Sequence, residues 1–463
     1  MTDAAAPTAS AAPIGGAAGF GSQGYRAYVL GALLVIYTFN FIDRILIGLV
    51  AEPIKLEFGL SDTMLGLLGG PAFAILYTAL GIPIARLAER ANRVTIIAVS
   101  VFVWSLMTAL CGAATTFWML AAFRVGVSIG EAGCTPPANS LIADYFKPSS
   151  RAAALSIYAM GITIGGVCAG LFAALLIDQF SWRAVFYAVG APGILVAIIA
   201  KLTIKEPPRG YTDPPGTSRE KASFSEALKT LSGKPTFWHM VAGATLASFV
   251  GYALSNFTVS FFVRTHELGL SDAILLAGVF ILTFGAIGTY LSGFLAERLV
   301  AKHKNVLAWL PALGFVIATP AYIIGFNASS IVISTLFLMV AALTHYFYLG
   351  PMYAIGQGVV DARMRATAIA ILLFIVNLIG YGGGPIFIGV LSDIIANMSL
   401  SGSDLTVGAC SAEGLTADQD ALCSQASADG LRLAASITVL IYLWAGVHYM
   451  LAGRTLQKDM VAA

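Results

Sequence analysis

Gly59-Leu-Ser-Asp62 leads to Leu87-Ala-Glu-Arg90, and the same two words return as Gly269-Leu-Ser-Asp272 and Leu295-Ala-Glu-Arg298, displaced by 210 and 208 residues. Two words recurring in one order at nearly one interval mark an internal repeat. Between them lies apolar sequence longer than the roughly 20 residues a helix needs to cross a bilayer. Ser61 and Asp62, like Ser271 and Asp272, read as amino-terminal caps of that helix. Each Leu-Ala-Glu-Arg reads as the turn that follows it. The chain is therefore expected to be two copies of one helical unit.

The composition agrees. Of 463 residues, 58% are hydrophobic and 11% charged, with a mean hydropathy of +0.83, whereas soluble domains carry about 25% charged residues. An aqueous globular enzyme is excluded. A transmembrane barrel would alternate apolar and polar residues, and stretches such as 96–110 carry no charge and no such alternation. Hydropathy instead predicts twelve helices, at 26–51, 61–88, 94–114, 117–144, 150–178, 182–203, 236–263, 271–298, 305–326, 330–357, 365–395 and 430–452. The expected fold is an all-α polytopic membrane protein whose twelve transmembrane helices form two pseudo-symmetric six-helix bundles, 26–203 and 236–452. We refer to them as spans 1 to 12.

Basic residues orient the chain. Twenty of the 26 Lys and Arg fall on the side of the amino terminus, four (Lys55, Arg183, Arg264, Arg432) on the other, and Arg44 and Arg124 lie within spans. By the positive-inside rule both termini are expected in the cytoplasm, in a cell inner or plasma membrane. Residues 1–25, rich in Ala, Gly, Pro and Ser without an early Lys or Arg, read as a disordered cytoplasmic tail and not a signal peptide; 453–463 form a second tail. The net charge of +2 gives no reason to expect nucleic acid as a partner. The connection 204–235 carries seven basic residues when Lys201 at its edge is included. Its Ser223-Phe-Ser-Glu226 is a capping-box pattern, with Phe224, Leu228 and Leu231 on one face of a short interfacial helix. A further echo pairs Asp144 before Arg151-Ala-Ala-Ala with Asp361 before Arg365-Ala-Thr-Ala. Two repeated bundles around a cavity suit a body that rocks between two openings.

Ala85-Arg-Leu-Ala-Glu89-Arg90-Ala-Asn92-Arg93 resembles the Gly-x-Leu-Ala-Asp-Arg-x-Gly-Arg signature of the major facilitator superfamily, with Ala85, Glu89 and Asn92 as departures. Gly293-Phe-Leu-Ala-Glu297-Arg298 is its second copy. Asn40-Phe-Ile-Asp43-Arg44, Arg124-Val-Gly-Val-Ser-Ile-Gly130-Glu131-Ala132 and Ala143-Asp144-Tyr145-Phe146 resemble the spinster family of lipid transporters within it. The resemblance implies alternating access without a cofactor, driven by a proton gradient. It also implies that Glu89 docks on the start of span 11 near Arg363 and Arg365 to lock the cytoplasmic side, where a carboxylate gains from the helix dipole. Arg90, Arg93, Asp144 and Arg151 would complete that gate, and Glu297 with Arg298 would mirror it. Ordinary loop charges are the plainer alternative.

Charges inside a span cost about 2.5–3.5 kcal/mol each and default to functional hypotheses. Asp43, Arg44, Arg124 and Glu131 are the four well inside. At 1.5 Å per residue, Asp43 and Arg124 lie at equal depth, about 10 Å below the outer end, so they can pair. Glu131 is two turns deeper on nearly the same face. In the coupling reading, Asp43 and Glu131 change protonation while Arg44 and Arg124 compete for them; in the static reading the four fix helix packing. Glycines 161, 165, 166 and 170 and Gly380-Tyr-Gly-Gly-Gly-Pro385 suit close packing and a seam between bundles, and Pro136-Pro137 bends span 4.

Polar residues in the second half are neutral: Asn256, His345, Gln357 and Asn377, near Tyr346, Tyr348 and Tyr353. A lone core His345 hydrogen-bonded to a neighbour is the plainer reading against titration. No metal-ligand spacing and no Gly-Lys-Ser/Thr phosphate loop is present. Asn40, Asp43, Arg44, Arg124, Glu131, His345, Tyr348 and Asn377 are the expected substrate contacts, and the asymmetry of charge suits an amphipathic ligand. Cys410 and Cys423 share an outer loop where a disulfide is feasible. The function expected is proton-coupled transport of a lysophospholipid-like or sphingoid-like lipid by a monomer surrounded by membrane lipid. A short-chain or aromatic organic-anion:proton symporter, and a passive scramblase or non-transporting sensor, are the alternatives.

Overall fold

The computed structural model describes residues 19–212, 224–300, 302, 303, 305–411 and 414–461. The tail expected to be disordered therefore lies mostly outside the described residues, as does Ser223 of the capping box. Eleven helices among the described residues are long and apolar enough to cross a membrane. The twelfth, span 4, is divided into Phe117–Glu131 and Thr135–Tyr145, with the break just before Pro136-Pro137. Pro lacks the N–H that would continue the ladder, so a helix is readily broken there.

Span 1 (Gln23–Leu49) starts three residues earlier than expected, because the Ser22 hydroxyl accepts from the Tyr25 amide. A short helix, Ala51–Phe58, follows and ends on Gly59 at φ 61°. Gly59 and Ser61 thus explain the first repeated word: one stops a helix in the left-handed region, the other caps the next, Asp62–Gly69. Span 2 continues after Gly70 as Pro71–Ala88. The second copy differs. Span 7 (Pro235–His266) stops on Glu267 at φ 53°, and span 8 begins at Leu270 with Gly269 as the cap residue. Ser271 and Asp272 lie inside that first turn and do not cap it. The second Leu-Ala-Glu-Arg is likewise not a turn, since helix continues through Arg298 to Val300.

Spans 3, 5, 6, 9 and 10 run over Arg93–Gly112, Pro148–Ile177, Trp182–Thr203, Val306–Asn327 and 331–358. Span 11 covers 365–399 with a π-helical segment, Val376–Tyr381, directly before the Gly-Gly-Gly-Pro run. Span 12 starts well before the expected residue 430: helix runs from Ala417 to Thr438 and then Ile441–Asp459. A capping box between Thr416 and Gln419 starts it, a local signal outweighing the polarity that had suggested loop. Cys423 in this helix is bonded to Cys410, Cα–Cα 5.6 Å. The linker helix, Phe224–Ser232, buries Ala227 and Leu231 and leaves Phe224 and Leu228 exposed, an interfacial arrangement.

The bundles meet in the half of the molecule remote from the termini. Span 2 packs on span 11, where Gly66 leaves no room for a Cβ against the Pro385 carbonyl. Span 1 meets span 7 at Gly48 and Asn256. In span 5 the glycines divide their work: Gly161 and Gly165 lie against Thr38 of span 1, whereas Gly166 and Gly170 lie against Leu282 and Gly278 of span 8 in the other bundle. A Cβ on Gly170 would stand 2.9 Å from the Gly278 carbonyl carbon. Gly170→Val should insert normally yet lower the apparent Tm by several degrees, since overpacking costs about 1–3 kcal/mol. An unchanged melt in detergent would show that the two backbones part freely.

Candidate coupling site and gates

Asn40, Asp43 and Arg44 share one face of span 1, and Arg124 and Glu131 share one face of span 4. The structure brings all five together, with Asn40, Asp43, Arg124 and Glu131 buried and Arg44 half-buried. Span 4 reaches this depth because Gly130 and Gly133 let its backbone press on Trp104 and Ser100 of span 3. Arg44 Nε donates to Glu131 Oε2 at 2.8 Å. The expected Asp43–Arg124 pairing takes another form. Arg124 Nη1 donates to the backbone carbonyl of Asp43 at 3.2 Å, while the Asp43 carboxylate accepts from Thr108 Oγ1 at 2.6 Å. Thr108 on span 3 claims the carboxylate, a contact that spacing along spans 1 and 4 could not disclose.

The cluster is under-satisfied. Both amide atoms of Asn40, Glu131 Oε1, and Nε and Nη2 of Arg124 are buried without a hydrogen-bond partner. Each such atom costs about 1–3 kcal/mol, so the arrangement favours arrival of a proton, water or polar ligand. Aromatic faces supplement it: the Arg44 guanidinium lies 4.3 Å from the Tyr77 ring centroid, and Arg44 and Arg124 flank Phe73 at 5.4 and 5.3 Å.

Other expected contacts are distributed differently. His345 is buried, with Nδ1 2.9 Å from the Tyr322 hydroxyl and its ring against Tyr442. Tyr348 is buried against Phe315, its hydroxyl 3.1 Å from Ser248 Oγ. Both are interior packing positions of the carboxy-terminal bundle and not contacts of the buried cluster. Asn377 is half-buried within the π-helical segment of span 11.

On the face carrying the termini, Arg93 is buried and binds Asp144, Ser140, the Pro207 carbonyl and, at 2.6 Å, Glu206. Glu206, from the segment after span 6, was not foreseen; its position immediately before Pro207-Pro208 is its one sequence cue. Arg151 donates to the Ala143 carbonyl and Thr212. Glu89 is the carboxy-terminal cap residue of span 2, followed by Arg90 in the turn, and Arg365 is the first residue of span 11. Arg363 pairs with Glu226 of the linker helix at 2.7 Å. Arg298 lies over Phe294 and, with Glu297, belongs to span 8.

The opposite face holds a lock that the sequence reading missed. Arg264 of span 7 binds Asp62 at 2.8 Å and Glu52 at 3.0 Å, and Lys55 reaches Asp62 at 2.6 Å. Ser392 and Asp393 of span 11 add bonds to Asp62 and to the amides of Asp62 and Thr63. Glu52, Lys55, Asp62, Arg264 and Asp393 border a cavity of about 500 Å³ that also touches Cys410 and Cys423. Only pairing across the repeat boundary makes Arg264 special, which a positive-inside count does not reveal.

A model of the Major Facilitator Superfamily matches residues 33–403. An MFS-type efflux pump of Mycolicibacterium smegmatis is 32% identical over 80% of this chain and 85% of its own length. Spinster homolog 3 of Danio rerio is 28% identical over 80% and 78%. The crystal structure of a bacterial homolog of the human lysosomal transporter spinster, inward-facing and unoccupied, superposes with a TM-score of 0.90 at 44% identity, covering 96% of this chain and all of that one. Its occupied inward-facing form gives 0.87 at 43%. The chain belongs to the Major Facilitator Superfamily. Within that class it is a spinster-like multi-pass membrane transporter, and it is not an enzyme.

Breaking one partner of a buried ion pair costs about 3–5 kcal/mol. Arg264→Gln should therefore destabilise the protein strongly in thermal melts, and adding Asp62→Asn should restore part of the loss. Equal melts for the single and double variants would deny the lock an electrostatic role.

Proposed function

We propose that this protein is a proton-coupled secondary active transporter, working by alternating access, that moves an amphipathic lipid of the lysophospholipid or sphingoid type. The observation that carries the coupling is the Glu131–Arg44 pair: a carboxylate held by one oxygen, its second oxygen buried and unpartnered, in a bundle otherwise poor in charge. A proton arriving at Glu131 releases Arg44, which is half-buried beside Tyr37, Phe41 and Tyr77 and is then free to hold an anionic headgroup. The apolar tail would lie along the aromatic faces of spans 7, 10 and 11. Inter-bundle contacts concentrate on one face, and the match to inward-facing spinster structures supports reading that face as the closed exterior. Both termini are then cytoplasmic, in an inner or plasma membrane.

Closing the cytoplasmic side would bring Glu89 and Arg90 to Arg363 and Arg365, with Arg93, Asp144 and Arg151 bracing one bundle and Glu297 and Arg298 the other. A second reading, a short-chain or aromatic organic-anion symporter, draws on the same half-buried Arg44 among rings, which suits a carboxylate equally.

In proteoliposomes, a pH gradient should drive uptake of a labelled lysophospholipid, and Glu131→Gln should abolish the gradient dependence. Short-chain carboxylates should compete far less than long-chain ones; the reverse order selects the second reading. Flux indifferent to the gradient in the unaltered protein would point to a passive scramblase.

A further inference from the structure

Phe73 stands between two systems treated separately so far. Its ring is fully buried, one turn after the break at Gly70 that separates the two pieces of span 2. Toward its own bundle it meets the guanidinium carbons of Arg44 at 5.4 Å and Arg124 at 5.3 Å. Toward the other bundle it meets Tyr381 of span 11, ring centroids 5.2 Å apart, and Tyr381 stacks on Tyr252 of span 7 at 4.3 Å.

We propose that Phe73 is the positioning residue through which the buried charge cluster senses separation of the two bundles. This rests on the coupling reading above. The quadrupole of the Phe73 ring attracts both guanidiniums, most strongly where water is excluded. Arg124 depends on it most, because its Nε and Nη2 have no hydrogen-bond partner. Gly70 lies beneath span 11, where a Cβ would stand 2.8 Å from the Gly382 carbonyl. When the closed face opens, spans 2 and 11 must part, and Phe73 loses Tyr381. The ring is then free to tilt, and both guanidiniums lose their fixed face. In the other direction, a proton on Glu131 frees Arg44 to move and so alters how firmly Phe73 is pressed on Tyr381. The charged and titratable groups around this stack are Tyr37, Asp43 and Arg44 on span 1, Tyr77 on span 2, Cys111 on span 3, Arg124, Glu131 and Cys134 on span 4, Tyr252 on span 7, Tyr353 on span 10 and Tyr381 on span 11. Among the ring contacts of the described residues, Phe73 is the one that meets both arginines and a ring of the opposite bundle.

The test is hydrogen exchange of the intact protein in lipid nanodiscs at pH 5.5 and 7.5, corrected for intrinsic rates and read at the 52–63 segment. Phe73→Leu keeps an apolar side chain but no π face, and Phe73→Tyr restores one. The unaltered protein and Phe73→Tyr should show a roughly tenfold pH-dependent change in protection, which Phe73→Leu reduces below about twofold. Glu131→Gln should remove the change as well. A full response in Phe73→Leu, with none in Glu131→Gln, overturns the role of Phe73 alone. A full response in Glu131→Gln overturns the coupling reading and this inference with it. Should Phe73→Leu fail to fold, Tyr381→Leu, which removes the ring on the other bundle, is read in its place against the same two outcomes.

Discussion

Arg264 is held by Glu52 and Asp62, and nearly every inter-bundle contact lies on its side of the molecule. A lone buried charge here would cost several kcal/mol, and with Lys55 the two cations and two carboxylates offset one another. Because Asp62 also takes Ser392, and Asp393 takes the amides at the start of span 2, one guanidinium organises the ends of spans 1, 2, 7 and 11. The seam below it can then be apolar and tight, built from Gly66, Gly70 and Gly389 against facing backbone.

Regular helix is interrupted in span 8 over Leu275–Ile281, in span 10 over Tyr346–Tyr348 and in span 12 after Thr438, but three further breaks gather where this seam meets the charge cluster. Span 2 is interrupted at Gly70, span 4 at 132–134 beside Glu131, and span 11 is π-helical over Val376–Tyr381. In lipid such irregular backbone is tolerated only when buried in protein or lining a cavity. These three lie at the level of Arg44 and Phe73. These three departures from ideal helix thus bring irregular backbone of both bundles to the charge cluster.

Much of this was legible in the sequence. Apolar length, the repeated words and the sorting of Lys and Arg are one-dimensional signals, and they yielded twelve spans in two halves. Asp43, Arg44, Arg124 and Glu131 were found because a charge in apolar sequence is conspicuous by itself. What escaped were facts about which span faces which. Thr108, not Arg124, occupies the Asp43 carboxylate; Glu206 completes the Arg93 site from a distant connection; and Arg264 looked like one more loop charge. The second copy of the repeat also misled, since Ser271 and Asp272 kept the letters of a cap without its geometry.

The disulfide gives the two bundles unlike rims. On the carboxy-terminal side, Cys410–Cys423 ties the segment after span 11 to the first turns of span 12, so those two spans share a covalent hoop at the mouth. The amino-terminal rim is the short helix Ala51–Phe58, held by ion pairs, by the Trp182–Glu57 hydrogen bond and by packing of Ile54 and Phe58, all of them noncovalent. One rim is thus stiffened by a covalent bond and the other is not. The pseudo-symmetry of the fold is therefore a symmetry of architecture and not of covalent bracing.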